Sequence, residues 1–289
     1  MGINLGTLAA KELYLGTIKS KAVYLGNNKV FPVSNLDPDA QAFLTATGIT
    51  DPTISNAINT LVLDLKSNNI WDKMQGIWPF VGGNSASNSV NLKQPGTFNY
   101  TWFGGVTHNS NGVTFNGTNG YGSALYVPAS QAIQNNTHMS IYSRTNNARV
   151  AGDFNSSNFA QSDRMNMILR WTDNNFYGDQ YSPSTGRMIV NLADSLGLYI
   201  ISRIASNDFR FFKNGTQLGS TITNAAGNIA NINGNLYIGS QFRGNTFISG
   251  QSSDRNYAFA SIGRALTVSE SGTLNTLVQN FQTTLGRQV

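Results

Sequence analysis

The chain has no cysteine, two histidines, two glutamates and few charged residues of either sign. Without cysteine there is no disulfide framework, no thiolate nucleophile and no cysteine-based metal site, and the redox compartment goes unmarked. Charged residues make up 11% and the net charge is +5. Residues 1–93 hold seven lysines against six acids, and residues 94–289 hold eleven arginines and one lysine against eight acids. No basic residues run together, so the charge reads as a solvated surface, and no nucleic-acid groove is expected. No apolar run approaches the roughly 20 residues that cross a bilayer, so membrane insertion is not expected either. The opening "MGINLGTLAAKELYLG" lacks a basic stretch ahead of an apolar core and does not read as a secretory signal. Gly6 stands where a myristoylation signal needs Ser or Thr.

What is present is turn chemistry. Twenty-nine glycines and dense Asn, Ser and Thr in a chain of 289 residues point to many short strands, so the fold class is expected to be mainly β. "INLG", "LYLG" and "VYLG" place Gly6, Gly16 and Gly26 ten residues apart. Each unit reads as a strand triplet, a turn glycine and a polar connector, so residues 1–34 form a small β-repeat meander, with Lys29 to Phe31 as a last strand before Pro32. Such a sheet is too small to stand alone and needs cover, from its own chain or from another protein.

Residues 35–93 read as a short helical connector. Asp37, Pro38 and Gly48 bracket one helix, and Asp51 with Pro52 opens a second, whose apolar stripe is Ile54, Ile58, Leu61 and Leu65. The stripe can pack on the chain's own body or line a symmetric stalk. The spacing of Trp71, Met74 and Trp78 continues the helical period and reads as core.

Residues 94–289 carry strand and turn signals throughout. Asn214-Gly215 between "DFRFFK" and "TQLGSTI" is the plainest hairpin, and "MSIYSRT", "RMNMILRWT", "GLYIISRIA" and "YAFASIGRAL" supply further strands. Short strands without intervening helices predict an antiparallel sandwich or jelly roll. A closing helix follows, with Thr267 and Glu270 at capping-box spacing and a stripe of Leu274, Leu277, Phe281 and Leu285; it should lie on the sandwich as a cover.

The tandem "YLG" units resemble the N-terminal segments of virion proteins of tailed bacteriophages. The succession "GVTFNGTNGYGSALYV", "IYSRT", "ISRIASNDFRFFKNGTQLG", "NLYIGS" and "AFASIGRALTVSESGTLNTLVQNFQTTLGRQV" resembles the concanavalin A-like, or laminin G-like, sandwich of phage tail and fibre proteins. This resemblance implies a structural protein on the surface of a phage particle, in a fibre, tail tip or capsid appendage, presenting a lectin-like domain to host glycan. It further implies a homo-oligomer, for fibres a trimer, held to other virion proteins through the N-terminal segment around Tyr14, Leu15, Gly16, Tyr24, Leu25 and Gly26. A purely structural or decoration protein without ligand, or a carbohydrate-binding module of a bacterial surface protein, are the alternatives.

Enzymatic activity is not expected. Glycosidases of such folds use two carboxylates about 5 to 10 Å apart, commonly glutamates, and here Glu12 lies in the repeats and Glu270 in a helix cap. His108 and His138 sit in Asn/Ser/Thr-rich stretches and read as surface-loop residues rather than a base or a metal ligand. No P-loop, nucleophile elbow or zinc motif occurs, and no cofactor or metal is expected. Sugar sites combine aromatic faces with hydrogen-bonding side chains. The densest such mixture is "RWTDNNFYGDQYS", with Trp171, Asp173, Asn174, Tyr177, Asp179 and Tyr181 as candidate ligand-binding residues. The same stretch also reads as an ordinary hairpin with core aromatics and a polar tip, and its "TDNN" lacks the spacing of a calcium loop.

Overall fold

The computed structural model describes residues 36–181 and 186–289, together with the backbone of four short strands nearer the N-terminus. The chain divides into two compact units, Met1–Asp37 and Pro38–Val289.

In the first unit, β1 (Tyr14–Leu15) pairs with β2 (Ile18–Lys19), and β3 (Val23–Leu25) pairs with β4 (Asn28–Phe31), both antiparallel. Leu15 faces Ile18 and Leu25 faces Asn28. A ten-residue unit therefore holds a hairpin rather than one strand of a meander: Ile18 and Lys19, in the expected polar connector, form its second strand. Gly6, Gly16 and Gly26 lie outside the described residues.

The second unit begins with α1 (Pro38–Thr47), ended by Gly48 at φ +66°, and α2 (Pro52–Ser67). The Asp51 side chain accepts the Ile54 N–H at 3.0 Å and Pro52 occupies the first turn, as the capping rules require. Ala57, Ile58, Leu61, Val62 and Leu65 form the buried stripe. Beyond α2 the helical reading fails. Trp71 lies in a single 3₁₀ turn, and β5 (Met74–Trp78) is a strand. All three of Trp71, Met74 and Trp78 are buried, as expected, but β5 achieves this by pairing with a strand some 180 positions later, a long-range constraint that local spacing does not contain.

Two antiparallel sheets form the body. The first runs β17 (Thr216–Ile222), β16 (Asp208–Lys213), β15 (Gly197–Ala205), β10 (Thr137–Ser143), β21 (Asn256–Gly263), β8 (Gly112–Phe115), β7 (Val106–Asn109); β5 shares the β8 side of β21, at its other end. The second runs β14 (Met188–Asn191), β13 (Asn175–Gln180), β12 (Arg164–Ile168), β11 (Phe154–Ser157), β18 (Leu236–Ile238), β9 (Tyr121–Ala124), β6 (Tyr100–Phe103). Alternation along each strand sends Met139, Ile141, Tyr199, Ile201, Phe209 and Phe211 inward from one sheet and Phe154, Met165, Met167, Phe176, Leu236 and Ile238 from the other. Phe176 and Phe211 stack across the interface at 3.8 Å. Each such side chain contributes about 1.5–3 kcal/mol on burial. Asn214 and Gly215, at φ +50° and +79°, make the turn between β16 and β17 that their sequence predicts.

The remaining helices are short, α3 (Ser85–Ser89) and α4 (Pro128–Gln131), except α5 (Val268–Thr284). Thr267 and Glu270 form the reciprocal capping box, and Leu274, Leu277, Val278 and Phe281 are buried. The helix covers the outer face of the first sheet: Tyr142 donates to Gln279 at 3.0 Å and Gln282 to the Ala258 carbonyl at 3.2 Å. Arg287, just beyond it, is buried without a carboxylate and donates to the carbonyls of Phe80, Pro79 and Ala258.

Neither histidine is a loop residue. His138 lies on β10, fully buried; its Nδ1 is 2.6 Å from the Arg264 carbonyl and its Nε2 3.0 Å from Ser261 Oγ, which is 2.6 Å from Ser140 Oγ. The carbonyl makes Nδ1 the donor, so Nε2 accepts from Ser261. His108 lies on β7, half-buried, edge-on to Trp102 at 5.0 Å. Polar neighbours in sequence disguised both as loop.

Candidate functional site

Residues 170–181 belong to a hairpin: β12 leads through a turn at Asp173 and Asn174 into β13, with Asn174 at φ +65°. The six candidate residues do not share one surface. Trp171 is half-buried, while Asp173 and Asn174 are exposed at the tip. Asp173 accepts from the Tyr177 hydroxyl at 2.5 Å and the Asn175 N–H at 2.9 Å, and the hydroxyl holds its carboxyl below the usual range. The Tyr177 ring lies 5.2 Å from the Arg187 guanidinium.

Asp179 is fully buried and receives Arg164 Nε at 2.8 Å and Arg187 Nε and Nη2 at 2.9 and 2.8 Å. Burial pushes its carboxyl up to about 6 against the pull of Arg164, so it is ionised at neutral pH and its acceptor positions are taken. Tyr181 is buried in the core with its hydroxyl against Thr137. Asp179 and Tyr181 are thus framework of the hairpin, withdrawn from any ligand.

A different set converges on the outer face of the second sheet. Thr101 on β6 pairs with Ser123 on β9, which pairs with Tyr237 on β18, giving one cross-strand row as the floor of a cleft. Phe103 and Tyr121, the next row toward one end, stack at 4.8 Å and 17°. A hairpin formed by β19 (Ser240–Arg243) and β20 (Thr246–Ser252) builds the wall. Asn155 fixes it to the sheet by accepting the Phe242 N–H at 3.1 Å and donating to the Ser240 carbonyl at 2.8 Å, and Ser157 donates to the Phe242 carbonyl. Phe242 stacks on Tyr237 at 3.5 Å, and Phe247 lies 5.9 Å from Tyr121.

The resulting cleft encloses about 250 Å³. Asn245 closes it: its Oδ1 accepts from the Tyr237 hydroxyl and the Asn235 N–H, both at 2.9 Å, which leaves its NH₂ as a positioned donor. Phe103 is 42% exposed and Leu125 is 71% exposed, so apolar faces stand open beside amide and hydroxyl groups. Among the described residues, no charged side chain lines it. Sequence reasoning missed these residues because positions 103, 121, 237, 242 and 247 meet only through strand pairing. The one local signal is "FRGNTF", two phenylalanines flanking a Gly-Asn turn.

The fold is an antiparallel, lectin-like jelly-roll sandwich. No family model matches the chain, and no curated protein matches it. Among solved structures it is similar to a mutant of Trypanosoma rangeli sialidase displaying trans-sialidase activity, at 12% identity and TM-score 0.50, over 78% of this chain and 39% of that one. It is also similar to a tryptophan-to-alanine mutant of HCR/D, at 10% identity and TM-score 0.52, over 72% of this chain and 53% of that one. The chain therefore spans well under two thirds of either structure, and at these identities the likeness is one of fold.

Proposed function

We propose that the chain is an adhesive, non-enzymatic surface component of a tailed-phage particle. Its sandwich takes a neutral host glycan in the cleft between β6, β9 and β18, and its N-terminal hairpins hold it to other virion proteins. The observation that carries the glycan reading is the convergence of Phe103, Tyr121 and Leu125 with the amides of Asn235 and Asn245 around a hydroxyl-lined floor. Aromatic and apolar faces pack on the C–H patches of a sugar ring, and the amides meet its hydroxyls. Among the described residues the lining holds no cation to compensate a carboxylate, which favours an uncharged ligand. Among the described residues its lining holds no carboxylic acid, so the pair of carboxylates that most glycosidases use is not assembled there. The phage reading and a homo-oligomeric, fibre-like state are supported by the "YLG" resemblance and by an N-terminal unit of two-stranded hairpins, which need a partner for cover.

On an array of neutral and sialylated glycans, the full chain is expected to bind neutral members. Tyr121→Ala should lose at least about tenfold in signal, the equivalent of about 1.4 kcal/mol, while Trp171→Ala should bind as the parent does. A loss confined to Trp171→Ala would move the site to the 170–181 hairpin, and a flat array would leave a purely structural appendage. Separately, deletion of residues 1–34 is expected to abolish incorporation into particles. Normal occupancy of the truncated chain would end the attachment reading.

A further inference from the structure

A second, larger cleft of about 570 Å³ adjoins the first. It lies where the two sheets gape, since β6 is the last strand of one sheet and β7 the last of the other. The chain passes between them through Gly104 and Gly105. Strand β6 serves both clefts by simple alternation. Thr101 and Phe103 project to the outer face, while Tyr100 and Trp102 project toward the mouth of the sandwich. Thr101 lines both spaces.

The mouth is a built polar and aromatic surface. Trp102 stacks on Tyr100 at 5.0 Å, with His108 against its edge, and its indole N–H donates to the Ser85 carbonyl at 3.0 Å, which pins α3 to the rim. A Cβ on Gly122 would fall 2.5 Å from the Trp102 ring, so the indole depends on bare backbone beneath it. Asn88 Nδ2 is 3.2 Å from His108 Nδ1, while the Asn88 Oδ1 and the Tyr100 hydroxyl are buried without a hydrogen-bond partner. Buried polar atoms without partners are costly to a fold and uncommon in one. Burial lowers the His108 pKa, so its ring is neutral at neutral pH, and among the described residues no charged group lines this cleft either.

From the shared residue Thr101 and the matching uncharged, aromatic linings, we infer that the two clefts are consecutive subsites for one neutral oligosaccharide, which crosses β6 from the Phe103–Tyr121 face to the Trp102–His108 mouth. This rests on the glycan reading above and adds to it a requirement for chain length. A single sugar fills the first cleft; only a longer chain reaches the second.

The test uses the full chain on homopolymer series of glucose, galactose, mannose and N-acetylglucosamine, each one to four residues long. In the series that binds, affinity is expected to rise at least about tenfold between one residue and four. Trp102→Phe should remove that gain and leave single-sugar binding unchanged. The chain's two histidines give a readout independent of any variant: because His138 is buried, the imidazole resonances of His108 should shift with the four-residue probe and stay unmoved with the single sugar. Binding that is lost in Tyr121→Ala but indifferent to length, with His108 unmoved, overturns the two-subsite inference and leaves the first cleft standing. No binding in any series overturns the glycan reading together with it.

Discussion

Replacing Asp153 by alanine lowers the unfolding free energy by about 3–5 kcal/mol, the cost of leaving a buried charge without its partner. Asp153 and Arg255 are both fully buried, with Arg255 Nη1 2.6 Å from Asp153 Oδ1. The same oxygen accepts from Ser253 Oγ at 3.1 Å and from the Tyr257 hydroxyl, and Oδ2 accepts the Leu169 N–H at 2.7 Å. Arg255 Nη2 meanwhile donates to the carbonyls of Asn147 and Arg170. The pair thus ties together three separate stretches of chain, around 147–153, 169–170 and 253–257. Loss of the carboxylate strands a guanidinium, two hydroxyls and an amide in the interior. Removing both charges at once, as Asp153→Leu with Arg255→Met, is expected to cost less than Asp153→Ala alone, because no unpaired ion remains. Urea denaturation of the two variants and the parent measures this. A single variant within about 1 kcal/mol of the parent would mean that water or rearrangement reaches the site.

The second large effect is acid-linked. Burial lowers the His138 pKa from 6.5 to about 4. The unfolded chain therefore takes up this proton first as pH falls. The stability it contributes is fully present above pH 6.5 and is lost between 6.5 and 4, to the extent of about 3 kcal/mol. Asp179 runs the other way. Its folded value of about 6 lies above 3.8, so the folded chain is protonated first and stability is gained as pH falls through that window. The parent's own pH profile therefore mixes two opposed slopes. The difference between parent and His138→Gln isolates the histidine, and it should shrink by about 3 kcal/mol in the parent's disfavour between pH 7 and pH 4. A difference that holds constant across the range would show that His138 is reached by solvent or already protonated.

What was legible in the sequence was whatever a few adjacent residues decide. Asp51 and Pro52 cap α2, Thr267 and Glu270 cap α5, and Asn214-Gly215 turns a hairpin, because in each case the chemistry acts within four positions. The alternating runs gave the β-sandwich class for the same reason. The failures share the opposite property. Trp71, Met74 and Trp78 match a helical period by coincidence, and β5 is a strand because β21 offers it a free edge. His138 looks like a loop residue among Asn and Thr, yet Ser261 and Arg264, more than 120 positions away, supply its polar partners. The densest local cluster, at 170–182, resolves into an exposed tip and two buried framework residues, Asp179 and Tyr181. The cleft that assembles aromatic faces and amides draws on four strands and a hairpin turn. Composition along the chain carries no trace of that register.

The position of β21 has a consequence for how the molecule comes into being. This strand is the last of the sandwich in chain order, yet it lies inside the first sheet, between β10 on one side and β8 with β5 on the other. Until Asn256 to Gly263 have left the ribosome, β10 and β5 each present a bare hydrogen-bonding edge, and the sheet cannot close. The first sheet therefore cannot form before β21 has been made, a topology that folds slowly and leaves the nascent chain open to pairing with its neighbours. Wherever several copies are made side by side, a wrong partner strand is close at hand throughout that interval.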